Sequence, residues 1–251
     1  MVSRSRARPS SLEEALYEAD CEEAPWRRVL PTLLRNWEQG QHFVTLGKTG
    51  RGKTTLEIAL MEGRHRTREA KVCSMVVKRR DETSAKLVSR GWLRIYDWPP
   101  RYAARKSGKV IFWTSFTKAS TYAKDRRGVF VEAFDEIIEE GSWTLCLDEA
   151  SYMVESMRIR TSIDELFTQS RSNGITLIAG SQRPVWVSRS MVSQHCWVAC
   201  FRIGDTTDAR RAGEVLGDKD RYAPLIQRLG PHQFVLANTI TTEAVVTEVG
   251  S

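Results

Sequence analysis

The sequence predicts an α/β protein with a mostly parallel central sheet flanked by helices. Three observations lead there. Short apolar runs alternate with amphipathic stretches of about 10–15 residues along most of the chain, the pattern of repeated strand–helix units. The glycine-rich segment GKTGRGKT, Gly47 to Thr54, joins an apolar run to a helical one. Two later runs, WTLCL and ITLIAG, are almost wholly apolar, as strands covered on both faces must be.

Taken in order, residues 1–25 carry Arg4, Arg6 and Arg8, then Pro9, Ser10 and Ser11, then a run of acids from Glu13 to Glu23. That change of charge sign predicts a flexible N-terminal arm, suited to touch a neighbouring subunit. Residues 26–251 read as one domain. HFVTL is a strand, and KTTLEIALMEG (53–63) is a helix closed by Gly63. KVCSMVV (71–77) is a strand. An insertion is expected at about 78–127, holding the short helix SAKLVSRG and the strand candidates LRIYDW and KVIFWT. GVFVEAFDEIIEEG (128–141) is an amphipathic helix, WTLCLDEA a buried strand, SIDELFTQSRSNG a helix and ITLIAG a second buried strand. The strand WVACFRIGD, the helices TTDARRAGEVLG and RYAPLIQRLG, and the strands QFVLAN and TEAVVTEV follow.

The chain has 251 residues, 41% hydrophobic and 27% charged, enough to bury one large core. A formal charge of +7 suits a polyanionic partner without requiring one. No run approaches the about 18 apolar residues of a membrane span, so no stable membrane insertion is expected. The basic start is not followed by an apolar core, so no secretory signal is expected either. The five cysteines fall mostly in strand-like contexts. Cys196 and Cys200 beside His195 lack a second ligand pair at zinc spacing, and the chain reads as cytoplasmic and reduced.

Gly47, Lys48, Thr49, Gly50, Arg51, Gly52, Lys53 and Thr54 satisfy G-x-x-x-x-G-K-[ST], with a strand before and a helix behind. Glycines let several backbone N–H groups aim at one anion, and the helix N-terminus adds partial positive charge. Lys53 is expected to reach the β- and γ-phosphates and Thr54 to ligate Mg²⁺, with Thr55 completing the nucleotide-binding set. Downstream, WTLCL ends in Asp148, which leaves a parallel strand at its carboxyl edge and can hold the metal. Glu149 follows, placed to polarise a water as general base. ITLIAG ends in SQRP, where Gln182 is positioned to contact the attacking water or the γ-phosphate. Arg171, in QSRSNG, is a candidate arginine finger acting on a neighbouring subunit's nucleotide, with Arg183 its competitor.

The phosphate loop, LDEA on a later strand, RSNGITLIAGSQRP and FRIGDTTDARRAGEVLG together resemble the FtsK–HerA superfamily of ring-forming, DNA-pumping ATPases. The likeness covers roughly residues 40–215. It implies a RecA-like P-loop NTPase fold of the ASCE type, with ATP and Mg²⁺ as cofactors. It also implies a homo-oligomeric, commonly hexameric ring around double-stranded DNA. In such proteins the second strand often ends in an acid, whereas Lys78, Arg79 and Arg80 stand here. A nearly bare motor core most resembles a viral genome-packaging ATPase, which implies a capsid portal or vertex protein as partner. The alternatives are a phage assembly or DNA-export ATPase, a conjugative-type pump and, less well supported, a P-loop kinase.

Candidate DNA-facing cations are Arg64, Arg66, Arg68 and Lys71, then Lys78, Arg79 and Arg80, then Arg101, Arg105, Lys106 and Lys109, and last Lys124, Arg126 and Arg127. Cations without base-reading geometry suit movement along any sequence. The WPPRY segment adds aromatics that can stack on a base or fill a turn.

Overall fold

The computed structural model describes residues 11–114, 122–186 and 189–250. Ten strands form one sheet in the order β1-β10-β9-β8-β2-β7-β6-β3-β5-β4. They are β1 (Glu22–Glu23), β2 (His42–Leu46), β3 (Lys71–Met75), β4 (Leu93–Ile95), β5 (Lys109–Phe112), β6 (Trp143–Leu147), β7 (Thr176–Ser181), β8 (His195–Phe201), β9 (Gln233–Asn238) and β10 (Ala244–Glu248). From β8 across to β4 every pairing is parallel. The sheet is mostly parallel, as expected: of the ten described strands β9 runs against the rest, antiparallel to both β8 and β10.

The central strands are buried along their whole length, which explains their mostly apolar sequences. Successive residues of β2 divide between the two faces. Phe43 packs with Leu56, Leu60 and Trp37, whereas Val44 and Leu46 pack with Phe130, Phe167 and Leu225. Helices α2 (Trp26–Asn36) and α3 (Lys53–Arg68) cover the first face. The second is covered by α6 (Tyr122–Glu140), α8 (Arg160–Gln169), α10 (Thr206–Val215) and α11 (Lys219–Arg228).

Three expectations change. Residues 11–25 are built into the fold: α1 (Leu12–Glu18) buries Ala15, and the backbone carbonyls of Ala19 and Asp20 accept from Arg221 at 2.6 and 3.1 Å. β1 then pairs with β10, so the arm expected over 1–25 is docked from Ser11 onward, while residues 1–10 lie outside the described residues. The described part of the expected insertion continues the sheet through β5 and β4, with α4 (Glu82–Ser89) and α5 (Tyr102–Ser107) between strands. Gly63 does not close a helix. It lies inside α3, where a Cβ would meet Leu34 Cδ1 of α2 at 2.7 Å, so glycine there lets two helices approach.

Candidate functional site

Strand order assembles the site. β2, β7, β6 and β3 are consecutive neighbours and parallel, so their carboxyl ends emerge along one edge. β2 leads into the glycine loop, β7 into Gln182, β6 into Asp148 and Glu149, and β3 into Lys78. Because β7 and β6 lie between β2 and β3, the chain leaves β2 by way of α3 and returns three strands away. Such a crossing leaves a crevice at the carboxyl edge.

In the loop, Gly47 (φ 144°) and Gly52 (φ 104°) hold backbone angles that favour glycine. A Cβ on Gly47 would meet Phe201 Cβ at 2.8 Å, so β8 presses the loop from below. Gly52 caps α3 without a side-chain hydrogen bond, leaving the first-turn N–H groups of a 16-residue helix to an outside acceptor. Lys53 is only 7% exposed, and its ammonium donates to the Lys48 carbonyl at 3.4 Å. Burial pulls that ammonium below its ordinary range, against the opposing pull of the Glu57, Asp148 and Glu149 carboxylates. A buried lysine in a cradle of free amides fits a polyphosphate.

The Thr54 hydroxyl donates to Asp148 Oδ1 at 3.2 Å, which brings the two expected Mg²⁺ ligands together. Among the described residues no cluster of three or more His, Cys, Asp or Glu side chains is suited to a metal. A hydroxyl and one carboxylate fit Mg²⁺, which usually takes its remaining ligands from phosphate and water. Glu149 accepts from Gln182 Nε2 at 2.8 and 3.1 Å, and Gln182 Oε1 in turn accepts from the Thr49 hydroxyl at 3.0 Å. One amide thus bridges the phosphate loop and the expected base. Thr55 lies in the first turn of α3.

Glu57 was not anticipated. It is fully buried, accepts a hydrogen bond from the Thr45 hydroxyl and lies 3.9 Å from Cys146 Sγ. Burial first, then the charge of Asp148, pushes its carboxyl well above the usual range. The sequence does carry a signal: an acid in KTTLEIAL, one turn after Lys53, on the face that must meet the sheet.

Arg171 does not join this group within one chain. It precedes β7, with its carbonyl beside Gly40 at the amino edge of the sheet. A strand of that length separates it from the phosphate loop by about 17–20 Å. Arg183 lies on the site's side and pairs with Asp208 at 3.5 Å.

Several cations are taken out of the DNA-facing set by their partners. Arg64 is buried, donating to Thr144 Oγ1 and the Trp37 carbonyl, both at 3.1 Å, and to Gln39. Arg68 donates to the Leu34 and Arg35 carbonyls at 3.0 and 2.8 Å. Lys71 and Arg105 both pair with Glu140, at 3.4 and 2.9 Å. Arg66, Arg79, Arg80, Arg101, Lys106 and Arg127 remain exposed, while the side chains of Lys124 and Arg126 lie outside the description. No described helix is long and apolar enough to cross a membrane.

The chain matches no protein-family profile and no curated protein. Among solved structures, the DNA-packaging ATPase B204 of Sulfolobus turreted icosahedral virus superposes with a TM-score of 0.60 at 15% identity, over 84% of this chain and 98% of that one. The genome packaging NTPase B204 of Sulfolobus turreted icosahedral virus 2, in complex with ATP-gammaS, gives 0.58 at 15% identity over the same shares. VirB4 of Thermoanaerobacter pseudethanolicus gives 0.61 at 9% identity, over 84% and 89%. The chain shares the α/β fold of these proteins.

Proposed function

We propose that the protein is an ATP-hydrolysing motor of the FtsK–HerA kind that moves double-stranded DNA, packaging a viral genome. The observation that carries the reading is the linked set at one sheet edge: Thr54 on Asp148, and Thr49 on Gln182 on Glu149. A simple phosphate-binding loop has no need of an acid aligned by a loop-tethered amide. The likeness to packaging ATPases supports the same reading.

In this reading Lys53 and the loop from Gly47 to Thr55 hold the nucleotide phosphates, the Gly47 N–H itself being tied to the Ser181 carbonyl at 3.2 Å. Thr54 and Asp148 hold Mg²⁺, whose chemistry is to neutralise charge on the phosphate oxygens. Glu149 accepts a proton from the attacking water, and Gln182 orients that water or the γ-phosphate. Arg171, exposed at the far edge, acts on the site of the next subunit in a homo-oligomeric ring, and a hexamer would satisfy this. Arg183 is the rival for that role. DNA is gripped through exposed cations such as Arg79 and Arg80, in the cytoplasm of a host or at a capsid vertex or portal protein.

The test is the rate of ATP hydrolysis with and without double-stranded DNA, read beside the oligomer's mass in ATP. Stimulation that depends on assembly is expected. Turnover indifferent to DNA, with transfer to a small acceptor, would replace the motor by a kinase. An assembly or export factor, or a conjugative-type pump, would be separated from a packaging motor by its partner rather than by its ATP chemistry.

A further inference from the structure

β3 is the sheet neighbour of β6, so the residues leaving β3 pass beside Asp148 and Glu149. Three positions beyond the strand, Lys78 places its ammonium 3.1 Å from Glu149 Oε1, 3.6 Å from Asp148 Oδ2 and 4.0 Å from Asp81 Oδ2. Partial burial works against its charge, yet Asp148 and Glu149 hold it above the ordinary lysine range. Its side chain is 46% exposed, so charge rather than packing keeps it there.

This arrangement occupies the acid that the hydrolytic reading needs. Glu149 accepts from the Gln182 amide through both oxygens and from Lys78 through Oε1. A carboxylate has about four acceptor positions, and three of them face these donors. With those positions taken, Glu149 has little room left to hold a water. A more highly charged anion in the phosphate loop would compete directly for both donors, because a terminal phosphate offers them more negative charge.

We propose that Lys78 is a ligand for the terminal phosphate of the nucleotide. Its ammonium lies against Asp148 and Glu149, within reach of the edge where the loop ends, and it transfers to the phosphate when a triphosphate is bound. The transfer releases Glu149 to take the water's proton and makes the base available only when there is a γ-phosphate to attack. Lys78 also reaches Asp81, which caps α4 by accepting the Ser84 N–H at 2.7 Å. Its movement is therefore tied to the segment that presents Arg79 and Arg80. The proposal rests on the triphosphate reading of the loop.

The experiment compares wild type, Lys78→Gln and Lys78→Arg, with ATPγS and ADP binding measured calorimetrically in Mg²⁺. Loss of a charge-assisted bond to phosphate, less the carboxylate contacts it replaces, predicts a roughly tenfold loss of ATPγS affinity in Lys78→Gln. ADP affinity should stay within about twofold, and Lys78→Arg should restore discrimination. Without nucleotide, Lys78→Gln should bind Mn²⁺ alone several-fold more tightly, because a cation has left the two acids. An unchanged ratio of ATPγS to ADP affinity, with only a lower unfolding midpoint, would make Lys78 a structural counter-ion and overturn the proposal. A wild-type chain that binds neither nucleotide would overturn the triphosphate reading itself, and the proposal with it.

Discussion

His42 offers a quantitative test at the root of the strand that carries the phosphate loop. Its ring is fully buried, with Nδ1 accepting from the Leu177 N–H at 3.2 Å and Nε2 facing the Phe167 carbonyl at 3.4 Å. That pair of partners suits one neutral tautomer, and protonation of Nδ1 would set two donors against each other. Burial is the main force lowering its pKa to about 4, opposed by the Phe167 carbonyl and assisted by His195 and Arg171. The folded value lies below the ordinary one near 6.5, so the unfolded chain takes up the proton first as pH falls. Stability is complete above about pH 7, declines between about 6.5 and 4, and levels off below. At 1.36 kcal/mol per unit the full loss is roughly 3 kcal/mol, of which about 2 falls between about pH 7 and pH 5. The assay is urea unfolding of wild type and His42→Gln across that range. Other titrating groups cancel in the difference, and the glutamine amide can serve both backbone partners. Wild type should lose about 2 kcal/mol more than the variant between those pH values. Parallel curves would refute a buried neutral His42.

Glu149→Gln should bind ATPγS as wild type does while turnover falls by about a hundredfold or more, measured by phosphate release, as expected for loss of a general base. Gly63→Ala gains helix propensity but sets its Cβ 2.7 Å from Leu34 Cδ1. A net loss of about 1 kcal/mol is expected by urea unfolding, and the same change made in a Leu34→Ala background, where the clash is gone, should cost nothing. Arg64→Leu leaves buried acceptors without donors and should cost about 3 kcal/mol by the same assay. It should not change the salt dependence of DNA binding by folded protein, whereas Arg80→Ala should lower that slope by about one.

The phosphate loop, the LDEA acid pair and the alternation of strands and helices were legible because each is local. A glycine loop needs its angles within eight residues, and a buried strand shows its apolar run in five or six. Sequence alone could not tell which strands would be neighbours. Only the order β2-β7-β6-β3 brings Gln182 between Thr49 and Glu149, and Lys78 onto two acids whose numbers differ from its own by about seventy. The same dependence on distant partners misled the reading of Arg64, a surface cation by composition but a buried donor once Trp37 and Thr144 surround it. It hid Glu57, concealed that Gly63 faces Leu34, and left Arg171 without a visible edge of the sheet. Charge and chain geometry are carried by each residue. Burial and partnership are properties of pairs, and only the folded chain decides those.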